Sequence, residues 1–190
     1  MKKIALALFA TMAMAFGFGG PAKADMFDYA KLYGGATIEP QLEFCFIGCS
    51  DYDMQTGFNV GGALGWDVAP EFSIEVDLMY TASNYDCCST RLETFSGMVN
   101  GIWRFDIGSK WKPYIGAGIG GVQSIYEFGS GNDSDIVFGA QGLAGVAIPI
   151  DDKIDLSVEY KYQWADDAND NFTQWQYKSH NLDLGLVFHL

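Results

Sequence analysis

The sequence predicts an all-β fold, an eight-stranded antiparallel up-and-down transmembrane β-barrel. Three observations point there. The last nine residues put a large apolar side chain on every even position: Leu182, Leu184, Leu186, Phe188 and Leu190. Strand side chains alternate between faces, so this strand has one greasy face and one small or polar face. A bare greasy edge invites aggregation in water, whereas a closed cylinder has no edge and a bilayer accepts the greasy outside. Seven further stretches alternate in the same way, and none sustains apolar residues at a helical period. The connections between stretches alternate between tight and long.

The first element is a leader. Met1-Lys2-Lys3 is followed by an uncharged apolar stretch from Ile4 to Ala22, then Ala22-Lys23-Ala24. A basic start, an apolar middle and a small-x-small exit describe a secretory signal peptide over residues 1–24, cut after Ala24. The stretch is about long enough for a spanning helix, but Gly17, Gly19, Gly20 and Pro21 break its end. Residues 25–190 then form one outer-membrane barrel domain.

The eight strands are expected at about residues 31–38, 56–68, 72–83, 92–106, 111–128, 134–148, 154–165 and 179–190. In the seventh, Ile154, Leu156, Val158, Tyr160, Tyr162 and Trp164 oppose Asp155, Ser157, Glu159, Lys161 and Gln163. The third repeats the pattern: Phe72, Ile74, Val76, Leu78 and Tyr80 oppose Ser73, Glu75, Asp77, Met79 and Thr81. Glycines blur the alternation from Tyr114 to Ser124. Residues 69–71, 107–110 and 149–153 read as tight turns; residues 39–55, 84–91 and 166–178 read as longer polar loops. Short turns on one rim and longer loops on the other are the layout of barrels in the outer membrane of Gram-negative bacteria, reached by export through the periplasm. Trp66, Tyr80, Trp103, Trp111, Tyr160, Tyr162 and Trp164 fall near strand ends, where they can sit at the lipid–water boundaries.

Composition agrees. The 190 residues carry 11 basic and 24 acidic side chains. Loss of the leader removes Lys2, Lys3 and Lys23, leaving eight basic residues and a net charge of −16. That argues against nucleic acid or anionic lipid as a general partner. The 23 glycines and 15% aromatics suit a tightly curved sheet with aromatic belts.

Eight strands enclose a bore that side chains alone can fill. The inward set is expected to be Asn59, Glu75, Asp77, Asn100, Arg104, Gln141, Asp155, Glu159, Lys161, Gln163 and Asp183. Buried charges need partners. If Ile154 sits opposite Leu190, Lys161 falls opposite Asp183; Arg104 can sit near Glu75 or Asp77. Two polar clusters are therefore expected, acting as a plug that fixes register. The alternative is a narrow, porin-like path that prefers cations.

The segments KPYIGAGIGGV (Lys112 to Val122), GWDVAPEFSIEVDLMY (Gly65 to Tyr80), KIDLSVEYKY (Lys153 to Tyr162) and the terminal LDLGLVFHL make the chain similar to small eight-stranded outer-membrane barrels of the outer-membrane β-barrel domain, or opacity-protein, type. The resemblance covers residues 25–190 and marks architecture more than activity. It implies that the barrel-assembly machinery reads the last strand, Leu182, Leu184, Leu186, Phe188 and Leu190. The family usually ends in an aromatic residue, and here Leu190 is last, with Phe188 two before it.

Cys45, Cys49, Cys87 and Cys88 lie in the first two long loops. An oxidising compartment favours disulfides, and four cysteines allow three pairings. Two bridges joining the loops, one cysteine of each pair in each, are preferred. A four-thiolate zinc site is the rival, and adjacent cysteines fit its ligand spacing poorly. The acidic segments at residues 129–135 and 165–172 do not match the calcium-loop pattern and read as solvated surface. Some eight-stranded barrels remove or add acyl chains on lipid A. Only His180 and His189 are available as bases, and Ser179 should point away from His180. No catalytic, cofactor or metal residue is therefore assigned. The expected role is non-enzymatic: a monomer in contact with outer-membrane lipid and lipopolysaccharide, with envelope-structural and adhesin-like functions and loops open to an extracellular ligand. Lipid A modification is the most remote alternative.

Overall fold

The computed structural model describes residues 27–45, 49–53, 55–84, 91–126, 136–166 and 174–190. Its strands are β1 (Tyr29–Cys45), β2 (Cys49–Asp53), β3 (Gly57–Ala69), β4 (Phe72–Asn84), β5 (Arg91–Arg104), β6 (Lys112–Tyr126), β7 (Ile136–Pro149), β8 (Ile154–Ala165) and β9 (Gln174–His189). Each pairs antiparallel with its neighbour, and β1 also pairs with β9. That last ladder closes the cylinder and satisfies the edge groups that a membrane would leave unpaired.

Nine strands make an eight-stranded ring because β2 and β3 share one register against β1. Cys45 faces Cys49, Gln41 faces Asp53, and Thr37 faces Gly57. They are two halves of one interrupted strand. The first long loop expected at residues 39–55 is thus largely an extension of the first hairpin. On its other side β1 slips against β9 between Ile38 and Gln41, where Pro40 has no N–H to give. β9 likewise begins at Gln174, five residues before the expected start. The leader, Cys87 and Cys88 lie outside the described residues, as do most of the two acidic segments.

The stagger of the ring can be read from the ladders. Register partners lead from Trp164 through Ala140, Ile119, Val99, Val76, Leu64, Ala30 and Phe188 back to β8 at Ile154. From 164 to 154 is a shear of ten residues. With about 3.3 Å per residue and about 4.8 Å between strands, this tilts the strands by about 41° and gives a backbone radius of about 8 Å. Each residue then climbs about 2.5 Å along the axis.

Polarity is inverted relative to a soluble protein. Lys161 is 0% exposed while Leu184 is 62% exposed. The expected faces hold on β4, β8 and β9. On β6 the glycine-blurred face resolves: Tyr114 and Val122 are buried inside, and Ile115 and Ile119 point out. The outward aromatics form two rings. Along the axis Trp66, Phe72 and Trp103 lie near the tight-turn rim, and Phe58, Tyr80 and Trp164 lie about 20 Å further on, close to the apolar height of such barrels. Tyr160 departs from the expected belt, about 9 Å below this second ring.

Candidate functional site

The barrel interior carries the chain's buried chemistry. Its centre is one ion-pair network, not two clusters. Lys161 Nζ lies 2.9 Å from Asp77, 3.3 Å from Glu159 and 3.7 Å from Asp183. Its ammonium also sits 3.6 Å from the Tyr33 ring centre. Glu159 is shared with a second lysine, Lys31, at 3.2 Å, and Lys31 reaches Glu75 at 3.1 Å. Two lysines thus tie together four carboxylates, all nearly inaccessible to solvent. Amides complete the layer: Gln141 donates to Asn100 at 2.7 Å, and Asn100 donates to Glu75 at 3.4 Å.

The expected inward set contains most members of this network, but they connect differently. Ile154 faces Phe188, not Leu190, so Lys161 is opposite Asn181, and Asp183 is opposite Glu159. Lys161 still reaches Asp183, diagonally. Arg104 joins neither Glu75 nor Asp77. It bonds Asp67 at 2.8 Å on the rim, over the Tyr29 ring. The expected Arg104 cluster is therefore wrong, because Arg104 is the last residue of β5 and its reach ends at the mouth. Lys31 was missed. Its position at the edge of the first expected strand, before Gly34 and Gly35, hid the inward alternation.

Three tyrosines repeat one device. Tyr29 and Tyr33 on β1 face Gly65 and Gly61 on β3, and Tyr114 on β6 faces Gly145 on β7. Each ring occupies the space a Cβ on its glycine would need. Each hydroxyl then donates to a carboxylate on the strand beyond: Tyr29 to Glu75, Tyr33 to Asp77 and Tyr114 to Glu159. The missing side chain lets an aromatic ring lie flat across the neighbouring strand.

Apolar residues and neutral polar groups fill the rest. Leu92, Met98, Val122, Ala165 and Tyr177 pack together toward the far rim; Ile102, Tyr114 and Leu143 pack nearer the tight turns. Thr37 donates to Asn181 at 2.7 Å. At the tight-turn mouth a cavity of about 440 Å³ reaches down to Lys31 and Glu75, lined also by Arg104, Asp155 and His189. His189 bonds Asp155 at 3.0 Å, and His180 bonds Tyr160 at 2.6 Å. Among the described residues neither histidine has a serine or cysteine as hydrogen-bond partner. Nor does any group of three or more His, Cys, Asp or Glu among them suit a metal ion.

The family model for the outer membrane protein beta-barrel domain matches residues 4–189. The chain belongs to that family. Family membership accords with the closed ring and supports a bacterial outer-membrane location. No curated protein matches the chain. Among solved structures it is similar to Neisserial surface protein A (NspA), at 21% identity and TM-score 0.63, covering 85% of this chain and 96% of that one. It is also similar to the outer membrane protein OprG of Pseudomonas aeruginosa, at 12% identity and TM-score 0.55, covering 86% and 97%. A third is the outer membrane enzyme PagL, at 18% identity and TM-score 0.51, covering 85% and 99%. At these identities the likeness is one of fold.

Proposed function

We propose that this barrel is a non-catalytic envelope protein: a filled membrane anchor whose long-loop rim makes adhesin-like contacts outside the cell. The observation that supports this is the occupied bore, with the Lys31–Lys161 network at mid-height and the Leu92–Met98–Val122–Tyr177 cluster above it. A packed interior leaves the ends of the barrel for recognition, and loops are where such scaffolds carry it. The protein acts as a monomer among outer-membrane lipid and lipopolysaccharide. The assembly machinery inserts it by reading the outward Leu182, Leu184, Leu186, Phe188 and Leu190. The decisive test pairs heat-modifiable electrophoresis of the outer-membrane fraction with planar-bilayer recording. A heat-shifted band with a silent bilayer is expected; steady conductance sinks the filled-anchor reading.

One observation favours a second reading, a narrow cation-preferring channel. The cavity at the tight-turn mouth reaches Lys31 and Glu75, and four carboxylates outnumber the two lysines beyond it. On that reading, conductance appears and rises when Lys161→Met removes the central cation. A lipid A acyl pattern that changes when the protein is produced would instead favour catalysis.

A further inference from the structure

From one aromatic ring to the other, the outward face is apolar or aromatic, apart from glycines, with one exception. Among the described residues His180 is the sole basic side chain there. The strand registers put it at the height of Tyr80, Phe58 and Trp164, within about 3 Å along the axis. Its Nδ1 lies 2.6 Å from the Tyr160 hydroxyl, and its ring is 5.0 Å from the Tyr162 ring centre. Below it, Leu182 and Leu184 continue the face at 50% and 62% exposure.

The Tyr160–His180 contact fixes which ring nitrogen is left for another partner. Among the described residues Tyr160 has no acceptor other than His180, and with its hydroxyl donating to Nδ1 the neutral ring keeps its own hydrogen on Nε2. Nε2 has no protein partner among the described residues, and His180 shares the outward face of β9 with Leu182 and Leu184. An N–H held at headgroup depth above an apolar strip is complementary to an anionic oxygen on an acyl-chain lipid. In outer-membrane barrels the longer loops face outside, which places this depth in the outer leaflet.

We propose that His180, oriented by Tyr160, forms a docking site for the phosphate of an outer-leaflet lipid whose acyl chain lies along Leu182 and Leu184. Tyr162 and Trp164 flank the headgroup, and Lys178 continues the same face toward the rim.

The test uses the full-length folded protein with three probes: bisphosphorylated lipid A, its dephosphorylated form and phosphatidylcholine. Native mass spectrometry reads which lipid is retained. The wild type is expected to keep bisphosphorylated lipid A about five- to tenfold better than either other probe, the range one charge-assisted hydrogen bond supports. His180→Phe should abolish the preference and Tyr160→Phe should reduce it, with heat-modifiable mobility confirming a folded barrel in each. Equal retention of the three probes, or an unchanged preference in folded His180→Phe, overturns the proposal. A second readout needs no variant. The ¹⁵N shift of His180 Nε2 in nanodiscs should move when phosphatidylcholine is replaced by lipid A. A shift produced by inorganic phosphate alone overturns the lipid as ligand.

Discussion

The Tyr114 hydroxyl donates to Glu159 at 2.9 Å by lying across Gly145, the residue that separates them on the intervening strand. The glycine, the ring and the carboxylate form one unit. Removing the hydroxyl leaves Glu159 with Lys31 and Lys161 but without its neutral donor. Tyr114→Phe is expected to cost about 1.5–3 kcal/mol, the range for a hydrogen bond to a charged group. Gly145→Val should cost about 1–3 kcal/mol by overpacking against the ring. Urea unfolding in lipid vesicles measures both. A Gly145→Val barrel as stable as the wild type would show that the ring does not depend on the glycine.

Lys161 is the hub of three carboxylates, all shielded from bulk solvent. Lys161→Met strands buried negative charge and is expected to destabilise by about 3–5 kcal/mol. Adding Asp77→Asn to it should recover part of the loss, since the stranded charge is then smaller. A double-mutant cycle reads the coupling. Strict additivity of the two changes would contradict the pairing.

Lys31 and Arg104 separate the network from the rim. Lys31 holds Glu75 and Glu159 in the interior, so Lys31→Met should cost about 3–5 kcal/mol. The Arg104–Asp67 pair is part-exposed, at 26% and 44% of the two side chains. Arg104→Ala should therefore cost less than about 1 kcal/mol. The reverse order in equilibrium unfolding would restore Arg104 to the central cluster and remove Lys31 from it.

Leu184 faces outward near mid-height of the apolar band, while Gly185 beside it faces the bore. Leu184→Arg is expected to cost about 2–4 kcal/mol, the penalty for a cation at the bilayer midplane. The same substitution at Leu190, on the tight-turn rim, should cost about 0–1 kcal/mol. Equal penalties at the two sites would mean that the last strand does not traverse the membrane as described.

The alternation of Ile154 to Trp164 with Asp155 to Gln163 was legible because strand periodicity is local: each residue's face follows from its neighbour's. The same holds for Phe72 to Tyr80 and Leu182 to Leu190. The last hairpin shows where legibility stopped. A two-residue difference in register preserves every face, so the alternation could not tell Ile154 opposite Leu190 from Ile154 opposite Phe188. β2 was hidden because residues 39–55 read as polar loop. On β6, glycines removed the side chains that carry the signal.

Which ends of the chain meet, and which charges neutralise each other, followed only from closure. Lys31 and Glu159 stand 128 residues apart. They meet because β1 seals against β9 with a ten-residue stagger, which brings the interior faces of β1, β4 and β8 to one height. Sequence alone determined the inward and outward sets of β4, β8 and β9, since these depend on the pleat of each strand. Tertiary structure chose the partners, since a buried lysine takes whichever carboxylates the circumference of the ring delivers to it.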